Sequence, residues 1–232
     1  MKSIGIIGAM EEEVSILKEK MEDVRIIKKA SMDFYEGQLA GKKVIVVRSG
    51  IGKVNAGICA QILADMFSVE AIINTGIAGS LNKDINIGDI VVSTDVVQHD
   101  MDARGFGYKK GQIPQMPVFF FNADESLRKL AARVCHEVNP DIQVFEGRIA
   151  SGDQFVCDQK VKDDIVSEFS AYATEMEGAA IGQAAYLNEI PFLVIRAISD
   201  KADGSAQMDY SAFEKGAIEH SVKLTLKMLE EM

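Results

Sequence analysis

Hydrophobic and polar positions follow two periods along the chain. Short apolar runs of strand character alternate with stretches whose apolar residues recur every three or four positions, as on one helix face. The apolar runs at 3–9, 71–74, 89–98, 144–151, 171–175 and 191–195 predict strands, and those at 34–39 and 44–48, either side of Gly41, predict a hairpin. Helical periods cover 11–21, where Met10, Val14, Leu17 and Met21 form one stripe, and then 54–67, 125–138, 159–169, 178–187 and 213–232. Residues 102–117, with three glycines and two prolines set among aromatics, predict a long loop. Strands alternating with helices predict an α/β fold, a three-layer α/β/α sandwich on a mixed central sheet. No linker or repeat interrupts the pattern, so residues 1–232 read as a single domain.

The stretch Pro191-Phe-Leu-Val-Ile-Arg-Ala-Ile-Ser-Asp200 breaks the pattern. Its first half has the composition of a strand buried on both faces, yet it runs on into Arg196, Ser199 and Asp200. Charges at the carboxyl end of a central strand are expensive to desolvate, and in open α/β sheets ligands bind at that rim. An Arg–Asp pair that merely caps the strand is the plainer alternative.

Composition narrows the classes. With 232 residues, 47% of them hydrophobic, the chain suits one sizeable core. A net charge of −10 and no dense Lys/Arg cluster argue against a nucleic-acid partner. Three cysteines without metal-type spacing read as reduced thiols, and three scattered histidines propose no metal site. The first residues do not have the form of a signal peptide, and no apolar run is long enough to span a membrane. The expectation is a cytoplasmic protein without membrane contact.

Two acidic clusters remain. Glu11, Glu12 and Glu13 open the first helical period, where the helix dipole alone favours acids. At ~100° per residue Glu13 falls about 60° from Met10, on the edge of the apolar stripe, while Glu12 points to solvent. A carboxylate there is partly desolvated and suited to accept a proton. The second cluster, Thr174-Glu175-Met176-Glu177, precedes a small-residue helix that packs closely on the sheet. One of its acids can serve as a helix cap; together with Arg196 and Asp200 they read better as a polar site. Glycine turns are expected at 50–53, 75–79 and 151–155, and none has the dinucleotide or P-loop pattern. Phe155 in the last turn is either a core residue or a ring able to stack on a planar ligand.

Seven segments in order resemble the 5′-methylthioadenosine/S-adenosylhomocysteine nucleosidase family, part of the wider nucleoside phosphorylase group. They are Ile4-Gly-Ile-Ile-Gly-Ala-Met-Glu-Glu-Glu13, Ser49-Gly-Ile-Gly-Lys-Val54, Asn74-Thr-Gly-Ile-Ala-Gly79, Gly88-Asp-Ile-Val-Val92, Ser151-Gly-Asp-Gln-Phe155, Glu175-Met-Glu177 and Arg196-Ala-Ile-Ser-Asp200. The resemblance implies a nucleoside phosphorylase-like fold and hydrolysis of the bond between adenine N9 and ribose C1′, with a role in methionine salvage and adenosylhomocysteine recycling. It implies that Glu13 activates water, that Asp200 beside Ser199 protonates adenine N7, and that Arg196 lies near the water. Glu177 would hold a ribose hydroxyl and Met176 would contact the sugar. Phe155 would stack on adenine and the backbone of Val156 would meet its edge. Ala78 and Gly79 would lie beneath the nucleoside, with Ile51 and Tyr210 on the sugar and its 5′ tail. Ala9, Met10 and Glu175 complete the implied binding set. Phe106 and Pro114 would reach the neighbouring site of a homodimer. No metal or organic cofactor is implied. Ile77 stands where many members carry Ser, which removes a hydroxyl but leaves the backbone groups.

Three alternatives stand beside this reading. A purine nucleoside phosphorylase needs cationic groups for phosphate, and Glu11–Glu13 disfavour it. An aminofutalosine hydrolase would share these motifs and differ in the 5′ pocket. A non-catalytic nucleoside-binding protein would be expected to lose Glu13 or Asp200, and both are present.

Overall fold

The computed structural model describes residues 3–232. Its strands are β1 (Ile4–Gly8), β2 (Glu22–Lys29), β3 (Met32–Leu39), β4 (Lys42–Arg48), β5 (Ala71–Ser80), β6 (Ile90–Gln98), β7 (Phe121–Asn122), β8 (Val144–Ser151), β9 (Ala173–Glu175) and β10 (Phe192–Asp200). Its helices are α1 (Glu11–Glu19), α2 (Lys53–Phe67), α3 (Glu125–Val138), α4 (Gln159–Phe169), α5 (Gly178–Leu187) and α6 (Ala206–Glu231).

All of these strands join one mixed sheet. β1 runs parallel to β4 and β5, and β5 parallel to β10. β10 then pairs antiparallel with β6, β6 parallel with β8, β8 parallel with β9, and β9 antiparallel with β5. The strands β5, β10, β6, β8 and β9 thus close into a ring, and the β1–β4–β3–β2 wing extends from it. Side chains alternate across the strands and both faces are covered, which is why β1 and the first half of β10 are apolar throughout. Ile6, Ile73 and Ile195 face α1, α3 and α6, where Val14, Leu17, Val134 and Met228 pack. Ile7, Ile72 and Val194 face α2 and α5, against Leu63, Ala179 and Ile181. On α4, Ile165 and Phe169 pack with Val97 and Ala150. Helices therefore cover both sides of the sheet, as expected.

Three sequence expectations need correction. The glycine turn at 75–79 is instead the second half of β5, which continues in register with β10, Gly76 opposite Arg196 and Gly79 opposite Asp200. Its glycines provide close approach rather than a turn. β2 was not anticipated, because nearly all its side chains are exposed and no apolar face marks it. α6 begins at Ala206, seven residues before the predicted start, because its first two turns mix polar and small residues with an exposed Met208 and show no apolar stripe.

α5 lies close to the sheet because its contact residue is glycine. A Cβ on Gly182 would lie 2.6 Å from Val96 Cγ2 and 2.9 Å from Phe192 Cζ. Overpacking of a filled core costs about 1–3 kcal/mol, more than the ~1 kcal/mol a helix gains when glycine is replaced by alanine. Gly182→Val, which adds bulk without alanine's helix propensity, is expected to lower unfolding free energy by about 1–3 kcal/mol in a urea melt.

Candidate active site

The carboxyl ends of β1, β5, β9 and β10 and the first turns of α6 surround a cavity of about 510 Å³, within the range typical of small-molecule sites. Ala9, Met10, Glu13, Ile51, Ala78, Gly79, Phe155, Glu175, Met176, Glu177, Ser199, Asp200 and Tyr210 all line it. Segments separated by up to about two hundred residues in the sequence are brought together here because β1, β5 and β10 are neighbours and end at one rim.

Glu13 is more deeply buried than its helical position suggested, at 4% exposure. It reaches back to the start of α1, where Oε2 accepts hydrogen bonds from Ala9 N at 2.6 Å and Met10 N at 3.0 Å. Oε1 accepts from Ile77 N at 3.2 Å. The backbone of Ile77 thus takes part even though the hydroxyl common at that position is absent. The carboxylate lies against two glycines: a Cβ on Gly8 would stand 3.3 Å from Oε2, and one on Gly76 would overlap Oε1. Burial pushes the Glu13 carboxyl above its usual range, against the opposing pull of Arg196 and the three N–H donors.

Arg196 does not line the cavity; it lies behind it, fully buried. Nη2 donates to Glu175 Oε2 and, at 2.5 Å, to Asn74 Oδ1, while Nη1 donates to Ile195 O at 3.1 Å. Glu177 Oε2 is 4.0 Å from Nη2. Burial works against the guanidinium charge, and Glu175, Glu13 and Glu177 together more than restore it. Glu175 is held further by Ser151 Oγ and by Gly178 N at 2.8 Å. Glu177 accepts from Gly52 N at 2.8 Å. Burial, then the neighbouring Glu175, pushes Glu177 up to about 8.

Asp200 stands at the end of β10. Ser199 Oγ donates to Oδ2 and Ala202 N to Oδ1, each at 2.8 Å. Burial raises the Asp200 carboxyl above its ordinary value, with Asp209 and Asp203 adding to the rise against those two hydrogen bonds. A carboxyl so placed keeps its proton at a higher pH than usual and can donate it.

Phe155 is 44% exposed and meets Tyr210 edge-on at 6.0 Å, so it is a surface of the cavity and not a core residue. The side chain of Val156 packs instead with Val97, Ala150 and Ala202, leaving only its backbone in the turn that carries Phe155. Phe106 and Pro114 do not line the cavity within this chain, and Phe106 is 87% exposed. Sequence reasoning missed Thr174, Gln207 and Ser211 as lining residues and read Ile77 only as a departure. Gln207 and Ser211 lie one helical turn apart on the early part of α6, beyond the predicted helix start, so no periodicity pointed to them. Among the described residues no group of three or more His, Cys, Asp or Glu side chains is arranged to hold a metal ion, and no helix is long and apolar enough to cross a membrane.

This arrangement suits proton transfer at two separated carboxyls, one raised by burial but held by N–H donors, the other raised and beside a hydroxyl. Comparison with known proteins agrees with it. The phosphorylase superfamily profile matches residues 3–231. A 5′-methylthioadenosine/S-adenosylhomocysteine nucleosidase of Bacillus thuringiensis (strain Al Hakam) is 44% identical over 230 residues, covering 99% of each chain. The structure of the Neisseria meningitidis enzyme of that name, in complex with methylthio-immucillin-A, superposes with a TM-score of 0.96 at 39% identity over 100% of both chains. A futalosine hydrolase of Helicobacter pylori gives a TM-score of 0.94 at 39% identity, over 100% of this chain and 98% of that one. Fold, rim and full-length identity together place the chain in the phosphorylase superfamily, in the 5′-methylthioadenosine/S-adenosylhomocysteine nucleosidase family.

Proposed function

We propose that the protein hydrolyses the N-glycosidic bond of 5′-methylthioadenosine, S-adenosylhomocysteine and 5′-deoxyadenosine. The observation that carries this reading is the charge of the cavity. Four acids line it, Glu13, Glu175, Glu177 and Asp200, and no Lys, Arg or His does. Phosphorolysis needs an oxyanion at C1′, and this lining offers it no cation. The backbone N–H groups that otherwise attract an anion are already taken by Glu13.

The reaction follows from the geometry. Glu13 takes a proton from water as the oxygen bonds to C1′. The C1′–N9 pair passes to adenine, and the proton of Asp200 goes to N7. Positive charge grows on the sugar, where the acids of the lining stabilise it. Glu177 holds a ribose hydroxyl, Met176 contacts the sugar and Phe155 stacks on the base. Ile51 and Tyr210 flank the 5′ tail. Attack by water on the face opposite the departing base corresponds to inverting glycoside hydrolysis.

The whole chain acts as one nucleosidase domain, in the cytoplasm, in methionine salvage and adenosylhomocysteine recycling. It works as a homodimer in which Phe106 and Pro114 reach the neighbouring site; the exposed apolar side chains of Ile51, Val54, Ile58 and Leu187 support such a contact. The likeness to the Helicobacter pylori futalosine hydrolase supports a second reading, in which an aminofutalosine is also accepted and the 5′ group meets Gln207 and Ser211.

Incubation with 5′-methylthioadenosine, followed by chromatography with and without phosphate, is expected to yield adenine and free methylthioribose at the same rate in both. A phosphate-dependent sugar 1-phosphate would make the protein a phosphorylase. Glu13→Gln and Asp200→Asn are each expected to lower kcat by about 10²–10⁴-fold without loss of fold. The wild-type kcat/KM profile should be bell-shaped. It rises as Glu13 ionises, above the ordinary carboxylate range because its pKa is raised, and falls as Asp200 loses its proton. A profile with neither limb would contradict these roles.

A further inference from the structure

The start of α2 has no side-chain cap of its own. Its N-cap is Gly52, at φ +97°, with no side chain to accept from the helix. Two acids from distant segments take its first N–H groups instead. Glu177 Oε1 accepts from Gly52 N, and Asp153 Oδ1 accepts from Lys53 N, each at 2.8 Å. Glycine leaves room for the second of them, since a Cβ at position 52 would lie 3.2 Å from Asp153 Oδ1.

Asp153 belongs to the turn that carries Phe155, and a third acid holds it from the other side. The Asp153 N–H donates to Asp100 Oδ2 at 3.0 Å, and Lys53 Nζ donates to Asp100 Oδ1. Lys53, Asp153 and Asp100 thus close a cycle of three hydrogen bonds. Lys53 Nζ also donates to Gln98 Oε1 at 3.1 Å, which ties the cycle to the end of β6. Burial works against the Asp100 charge, and the bonds from Lys53 and Asp153 N more than restore it, holding the carboxyl below its usual range. None of the three residues lines the cavity.

Stability does not account for this cycle. A Ser, Thr, Asp or Asn at the N-cap serves a helix locally, and partly exposed ion pairs add little to folding. The Lys53 and Asp100 side chains are 17% and 31% exposed. The cycle instead fixes a distance. One residue before Lys53 is the N–H that orients Glu177, and two residues after Asp153 is Phe155. We propose that Lys53, Asp100 and Asp153 are positioning residues that hold Glu177, on the sugar, and Phe155, on the base, at a fixed separation across the glycosidic bond. Cleavage requires both at once, the ribose pinned while the base departs, and a misplacement of about 1 Å can cost about 10²-fold in rate. This rests on the nucleoside-hydrolysis reading above.

The test compares the full-length wild type with Asp100→Ala, Lys53→Met and the double variant. Asp100→Ala removes the carboxylate that joins the other two residues, and Lys53→Met removes the ammonium but keeps the backbone N–H. Thermal unfolding without ligand, adenine affinity by calorimetry, and kcat and KM for 5′-methylthioadenosine are measured for each. Both single variants are expected to lose about 10-fold or more in kcat. Their unfolding temperatures should stay close to wild type, and so should their affinities for free adenine, which engages the base end alone. The double variant should lose little more than either single one, because one break already opens the cycle. Wild-type kcat in both single variants would overturn the proposal, as would losses that simply add in the double variant. A clear fall in unfolding temperature with kcat kept would assign the cycle to the fold. A loss of adenine affinity as large as the loss in kcat would confine it to the base turn, and either result contradicts the proposal. If wild type released no adenine at all, the functional reading would fail and this inference with it; normal wild-type turnover with indifferent variants would remove this inference alone.

Discussion

A guanidinium buried from solvent needs close, well-directed partners, and Arg196 organises the site because of that requirement. Desolvating such an ion is costly, and only close, well-directed partners repay it. Glu175 and Asn74 take one end of its fork and the Ile195 carbonyl the other. Those partners come from three segments, so β5, β9 and β10 must meet at one place. Gly76 leaves the room: a Cβ there would lie 3.2 Å from Arg196 Nη1 and would overlap the Glu13 carboxylate. The single cation also moderates the acids around it, pulling both Glu13 and Glu177 down against their burial. Without it, burial would raise both groups further, and Glu177 would also feel the repulsion of Glu175 and Glu13 uncompensated.

The same economy of charge separates hydrolysis from phosphorolysis. The start of α1, the end of β1 and the second half of β5 supply three N–H groups, an arrangement that suits an anion. Here the chain supplies the anion itself, through Glu13. Asp200 lies away from Arg196, held by a hydroxyl and one N–H, and its raised pKa has burial as the main cause. Two carboxyls of similar intrinsic acidity are thereby given different surroundings, one held by three N–H donors near a cation and the other beside a hydroxyl.

Much of this was legible in the sequence where periodicity and chemistry coincide. The span of α3 and the end of β10 in Arg196, Ser199 and Asp200 could be read directly, because apolar period and abrupt polarity mark them. β5 was misread past Asn74, since glycines signal turns to the eye and only the paired strand and the neighbouring Glu13 show why they are there. β2 carries charged and apolar residues on exposed faces, so no burial pattern existed to find. Gln207 and Ser211 were missed because polar residues at a helix start look like solvent.

The most direct test of Arg196 as the organising charge is urea unfolding of Arg196→Met beside wild type at about pH 5 and about pH 8. Removing one partner from a buried ion cluster should cost about 3–5 kcal/mol. The deficit should widen with pH: the folded variant holds its protons more tightly than wild type, while the unfolded chains titrate alike. A deficit that is the same at both pH values, or none at all, would contradict the account.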